Sequence, residues 1–230
     1  MADVKDIVDV ARGKWEKTHF SVLNSKIKGT GIATNANPTT YAATEAFIVF
    51  NNGESRNNTG GKNTLILPDY VKMTCSVSGT AGKGFKIVWM EDTADRWTSG
   101  GTSLTTLAAN HYVDTTSGFT RVSTSAVIHV GDLVSPAATS EAAIGASTFR
   151  PTLGATLGLI GDQYITKFGG DQQSSASMSV GAQKLLDVVS PVVLAPGSSL
   201  VGHVIIEAQS AASSWEFEMG WVEVRKDFNA

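Results

Sequence analysis

The sequence predicts an all-β protein, an antiparallel β-sandwich of jelly-roll or Greek-key type preceded by an N-terminal amphipathic helix. Residues 1–18 form the helical arm and 19–230 the sandwich domain. Three observations lead there. Only 17% of the 230 residues are charged, whereas 47 are Ser or Thr and 23 are Gly; soluble domains carry roughly 25% charged residues, so the texture is one of strands and turns. After His19 the apolar residues alternate with period two between clusters of Gly, Pro, Asn and Asp. Helical patterns do not alternate with these strands, which disfavours a parallel α/β fold.

The arm comes first. In residues 3–17, Asp3 can cap, and Val4, Ile7, Val8, Ala11 and Trp15 recur at intervals of three and four on one face, opposite Lys5, Asp6, Asp9, Arg12 and Glu16. Gly13 costs such a helix about 1 kcal/mol relative to Ala, so it needs a surface to pack on. That surface is either a partner or the sandwich of the same chain, and the stripe alone leaves both open.

The strands follow. Over residues 70–78, Val71, Met73, Cys75 and Val77 face one way and Tyr70, Lys72, Thr74 and Ser76 the other. The Gly-rich run 79–84 then predicts a hairpin into a strand over 85–91. Residues 121–130 repeat the alternation, with Ala126, Ile128 and Val130 on one side and Ser125, Val127 and His129 on the other. Near the C-terminus Trp215, Phe217, Met219 and Trp221 share a face against Glu216 and Glu218, after which the apolar positions become Val222 and Val224. A β-bulge at Gly220 explains this change of parity. Weaker strands are expected at 20–27, 45–51, 64–67, 144–150, 163–168, 192–195 and 200–208. The stretches 29–44, 51–63, 132–143 and 169–182 are expected to be long surface loops.

Composition excludes several classes. With 42% hydrophobic residues and a mean hydropathy of +0.01, the chain has enough apolar surface to build a core. A net charge of −3 offers no basic footprint, so neither nucleic acid nor a membrane surface is expected as the main partner. The single cysteine, Cys75, permits no intrachain disulfide. The opening MADVKDIVDV has no continuous apolar stretch of the kind a secretory signal needs, and no run approaches the roughly 18 apolar residues of a membrane-spanning helix. Maturation in a cytoplasm is expected.

Catalytic motifs are sparse. There is no G-x-S-x-G elbow, Walker motif, G-x-G-x-x-G or H-E-x-x-H. His19, His111, His129 and His203 are scattered, without a second ligand at metal-site spacing. Glu91, Asp92 and Asp95 lack the D-x-D-x-D-G pattern of a calcium loop and are expected to begin turns. No cofactor, metal or catalytic residue is therefore assigned, and the protein is expected not to be an enzyme. Cys75 lies on the apolar side of its strand, where a thiol acts as a small hydrophobe. Trp89, Trp215 and Trp221 are expected in the core. Trp97, in a polar segment beside Arg96, is the residue for sugar stacking or an intersubunit contact, unless Arg96 simply stacks on it over a hairpin end.

Residues 90–107 read MEDTADRWTSGGTSLTTL, and 192–200 read VVLAPGSSL. The first resembles virion structural proteins of tailed bacteriophages, in particular head decoration or cement proteins. The second resembles the Pro-Gly corner before a late strand in viral and cupin-like jelly rolls. The resemblance implies a homo-oligomer, often a trimer, that sits on a shell of major capsid protein in the virion and stabilises it without catalysis. It implies no catalytic residue. In that role the stripe Val4, Ile7, Val8, Ala11 and Trp15 is the candidate partner contact. The alternatives are a carbohydrate- or receptor-binding module of a fibre or tail, a jelly-roll major capsid protein, and a cupin-type enzyme in which His111, His129 or His203 would meet around a metal.

Overall fold

The computed structural model describes residues 19–23, 32–33, 48–54, 62–78, 85–92, 101–105, 109–110, 124–131, 143–150, 160–169, 184–189, 191–206 and 213–227. These residues form β1 (His19–Leu23), β2 (Ile32–Ala33), β3 (Ile48–Asn52), β4 (Lys62–Val77), β5 (Phe85–Asp92), β6 (Thr102–Ser103), β7 (Ala109–Asn110), β8 (Ala126–Val130), β9 (Ala143–Arg150), β10 (Gln163–Phe168), β11 (Lys184–Val189), β12 (Ser199–Ile206) and β13 (Ser214–Asp227). No α-helix occurs among the described residues. The arm expected over residues 3–17 lies outside them, as does most of the four expected loops.

Two sheets result. One has seven strands in the order β11-β10-β4-β13-β1-β7, with β2 also pairing β13; the other has six in the order β6-β8-β3-β12-β5-β9. All pairs are antiparallel except β10 with β11, which run parallel. The spine of the first sheet is the long pair β4 and β13, matched from Ser214 opposite Val77 to Asp227 opposite Lys62.

Aromatic side chains join the sheets through one core. Trp221 of β13 stacks on Phe20 of β1 at 5.8 Å between ring centroids and meets Phe50 of β3, on the opposite sheet, edge-on at 5.1 Å. Trp89 of β5 reaches the other way, edge-on to Phe168 of β10 at 5.6 Å, and its indole N–H donates to the Thr166 hydroxyl at 3.2 Å. Such pairs contribute about 0.5–1.5 kcal/mol each beyond the area they bury. Trp89, Trp215 and Trp221 are fully buried, as their strand faces predict. Gly202 of β12 lies between Ile48 and Trp89, and the missing side chain is what lets the indole cross the sheet there.

Several strand expectations change. The segment 70–78 is the second half of a 16-residue strand that also absorbs 64–67. It does not form a hairpin with 85–91. β5 pairs with β12 and β9 in the six-stranded sheet, whereas β4 pairs with β13 and β10 in the other. Period-two alternation specifies which side of a strand is buried and is silent about which strand lies beside it. Residues 192–195 make a single bridge, Leu194 opposite Ile66, in place of a strand. The Pro-Gly corner is real: Ser198 N–H donates to the Ala195 carbonyl at 3.0 Å, and Gly197 adopts φ 70°, the form of a type II turn with proline second and glycine third. β12 follows directly.

The register does shift beside Gly220, but on the other strand. Gly220 pairs with Tyr70 and Trp221 with Pro68, so Asp69 of β4 is the extra residue. β13 itself stays in step with β1. The inward side of β4 accordingly changes from Thr64, Ile66 and Pro68 to Val71, Met73 and Cys75. On β13 nothing changes parity: Glu223 follows Trp221 inward at 3% exposure, while Val224 faces out at 41%. The expectation that Val222 and Val224 take over the core is thereby overturned.

Gly202→Ala places a Cβ 2.5 Å from both Ile48 Cγ2 and Trp89 Cζ3. This overpacking lowers the unfolding free energy by about 1–3 kcal/mol, read as a lower urea midpoint at unchanged slope; an unshifted midpoint contradicts the packing described.

Candidate functional site

The densest polar constellation among the described residues lies at one end of the core, where segments of both sheets converge. Glu223 enters from β13 of the seven-stranded sheet. Thr124 and Ser125 lead into β8, and Asn52 and Glu54 end and follow β3, all on the six-stranded sheet. A buried carboxylate is costly unless its oxygens are hydrogen-bonded. Those of Glu223 are: Oε1 accepts from the Thr124 hydroxyl, from Ser125 N–H at 3.0 Å and from the indole Nε1 of Trp221 at 3.1 Å, and Oε2 accepts from Ser125 N–H at 3.1 Å.

Glu54 approaches the same serine from β3, the neighbouring strand of the six-stranded sheet. Its Oε1 accepts the Ser125 hydroxyl at 3.1 Å, and its Oε2 accepts the backbone N–H of Thr64 on β4 at 2.7 Å. Asn52, fully buried, donates its amide to the carbonyls of Thr64 at 2.8 Å and Leu194 at 3.0 Å, and its Oδ1 accepts from Glu54 N–H at 3.2 Å. Its own backbone pairs with Ser198 and Gly197 of the Pro-Gly turn, at 2.9 and 3.0 Å. Glu223, Thr124, Glu54 and Asn52 each reach from one sheet to a group on the other, and the Ser125 hydroxyl ties Glu54 to this network within its own sheet.

Two carboxylates around a hydroxyl is also the outline of an acid–base site. Here the donors are the chain's own: both oxygens of Glu223 and both of Glu54 are engaged by backbone and side-chain groups of the flanking strands. What this arrangement does is hold the sheets in register, as a fully satisfied buried network does.

A second, half-exposed group lies on the outer face of the seven-stranded sheet. The Tyr70 hydroxyl donates to Glu218 Oε1 at 2.6 Å, and Lys72 Nζ lies 3.6 Å from Glu218 Oε2. Partial burial, then the adjacent Glu218 carboxylate, push the Tyr70 phenol well above its ordinary range. The Tyr70 ring covers Gly220, where a Cβ would lie 2.4 Å from it; the glycine serves this close approach.

Of the residues singled out from sequence, Val4, Ile7, Val8, Ala11, Trp15, Arg96 and Trp97 all lie outside the described residues, as do Asp95 and His111. Cys75 is buried, on the apolar face expected for it. Desolvation, reinforced by the nearby Asp162, pushes its thiol from 9.0 up to about 11. His129 is half-buried on β8 between Ile128 and Val130, which face the core, so it stands on the side of the sheet away from the other sheet. The strand of His203, β12, is separated from β8 by β3. Among the described residues no group of three metal-ligating side chains converges. Sequence reasoning missed Asn52, Glu54, Thr124, Ser125 and Glu223. For Glu223 a signal existed: strict counting by two from Trp215 places it inward, against the pull of its valine neighbours.

Compared with protein-family models, curated proteins and solved structures, the chain matches none.

Glu223→Leu removes the acceptor for three donors, and leaving them buried without partners destabilises the protein by about 3–5 kcal/mol. Glu54→Ala, at a half-buried position, costs about 1–2 kcal/mol. Denaturant unfolding of the two variants checks this, and a Glu223 effect no larger than that of Glu54 contradicts the burial argument. Cys75 in the native protein is expected to resist iodoacetamide at neutral pH and to react only on unfolding. Its folded pKa is raised from 9.0 to about 11, so its contribution to stability is complete below the lower value and is lost as pH rises toward the upper one. The stability gap between the native chain and Cys75→Ala therefore narrows across that window.

Proposed function

We propose that the protein is a non-enzymatic structural component of a virus particle, a bacteriophage capsid decoration or cement protein of jelly-roll type that forms a homo-oligomer, a trimer, and stabilises the head shell. The observation that carries this reading is how the buried polar chemistry is spent. Glu223, Glu54 and Asn52 bond across to strands of the opposite sheet. A protein that works by holding neighbours together needs stiffness and surface in place of a reactive centre, and a cross-tied two-sheet body provides the first. The low charge and the Ser-, Thr- and Gly-rich composition suit broad contacts between copies. The sequence resemblance of residues 90–107 and 192–200 points the same way.

The test is size-exclusion chromatography of the purified full chain with light scattering, followed by electron microscopy of any particles. A discrete trimer, or ordered particles built from it, is the expected result. A monomer at every concentration overturns the reading, as does substrate turnover that Glu54→Gln abolishes.

A further inference from the structure

One stretch of chain borders both sheets. β6 pairs with β8 at the edge of the six-stranded sheet, and β7 pairs with β1 at the edge of the seven-stranded sheet. Between them Leu104 is buried in the shared core. The ladder that this stretch makes along β8 is therefore very short: Thr102 lies opposite Val130, Ser103 lies opposite His129, and the N–H of Leu104 donates to the Ile128 carbonyl at 2.9 Å.

An antiparallel strand turns the backbone groups of successive residues alternately to its two neighbours. On β8, Ile128 bonds to Leu104 and so faces away from β3, and Ala126 faces away with it. Among the described residues no strand continues alongside β8 past Leu104. The N–H groups of Ala126 and Ile128 are thus the ones that an added strand would meet, as at any sheet edge. Both are taken by threonine side chains. Ile128 N–H donates to Thr105 Oγ1 at 3.0 Å, a position that a backbone carbonyl fills in a continuing ladder. Ala126 N–H donates to Thr124 Oγ1 at 3.0 Å, and the same hydroxyl donates to Glu223 Oε1. A hydroxyl satisfies the donor but brings no strand backbone with it, so the ladder stops at each.

We propose that Thr105 and Thr124 end the six-stranded sheet at β8, and that their hydroxyls keep this edge from pairing with β8 of a second copy. The excluded partner is a second copy because β8 reads AVIHV, an uncharged run rich in β-branched residues of the kind that pairs with itself when an edge is left open. Two copies related by a two-fold axis would bring these runs together antiparallel. The inference stands independently of the shell role, since it concerns the edge that copies avoid and not the surface through which they assemble.

Amide hydrogen exchange and light scattering on the full chain test this, with Thr105→Val removing the acceptor at nearly constant shape and Thr105→Ser retaining it. In dilute Thr105→Val the Ile128 amide exchanges about tenfold faster than in the native chain, as expected for one lost hydrogen bond, while the amide of His129, which faces β3, is unchanged. Thr105→Ser exchanges as the native chain does. The double variant Thr105→Val, Thr124→Val associates beyond the native chain as concentration rises, and Ala126 and Ile128 become protected again as it does. Unaltered exchange of Ile128 in Thr105→Val overturns the proposal. So does a folded double variant whose association matches that of the native chain. Because the Thr124 hydroxyl also serves Glu223, circular dichroism checks the fold of the double variant. If that variant is unfolded, Thr105→Val at high concentration decides: association supports the stop, and its absence overturns it.

Discussion

The structure depends on a carboxylate placed where a valine would be expected. Glu223 sits in the core row of β13, directly after Trp221, and survives there because Thr124, Ser125 and Trp221 supply the donors that water would otherwise provide. Ser125 is the pivot. Its backbone N–H serves Glu223 on one sheet and its hydroxyl serves Glu54, which in turn holds Thr64. Hydrophobic contact between the sheets is non-directional and would tolerate sliding. These bonds are directional, and they fix one end of the core to a single alignment.

The Asp69 bulge makes that alignment possible. A period of two running unbroken along all 16 residues of β4 would put Leu65 and Leu67 inward with Val71, Met73 and Cys75. One extra residue resets the phase, so that Thr64, Ile66 and Pro68 face the core and the Thr64 backbone meets both Glu54 and Asn52. The same reset turns Leu65 and Leu67 outward beside Val222 and Val224. The polar latch inside and the aliphatic strip outside are two consequences of one inserted residue. Gly220, opposite the bulge, leaves room for the Tyr70 ring, whose hydroxyl is then carried to Glu218.

Much of this was legible one strand at a time. Ala126, Ile128 and Val130, and likewise Trp215, Phe217 and Met219, are buried where alternation puts them, because one buried face imposes period two on any strand. Cys75 was legible for the same reason, and the Ala195–Ser198 turn because proline and glycine encode its dihedral angles locally. The short strands β2, β6 and β7 and the whole of β11 were not: two residues carry no period, and Lys184–Val189 sets its apolar residues in adjacent pairs, Leu185 with Leu186 and Val188 with Val189, which shows no period of two. Glu223 was missed because hydropathy was weighed residue by residue, whereas two of the three donors that make its burial possible lie more than ninety positions away in the chain.

By itself the sequence determined that the described chain is built of strands, which faces of β8 and of the first half of β13 are apolar, and that three tryptophans belong to the core. These follow from local stereochemistry and the period of the backbone, which every strand carries within itself. Only the tertiary structure decided that β4 and β5 belong to different sheets, that β10 and β11 run parallel, that the extra residue is Asp69, and that Glu223, Glu54, Asn52 and Ser125 meet. Pairing and convergence depend on which distant segments compete for the same backbone donors and the same space, and a pattern confined to a few neighbouring residues holds no record of that competition.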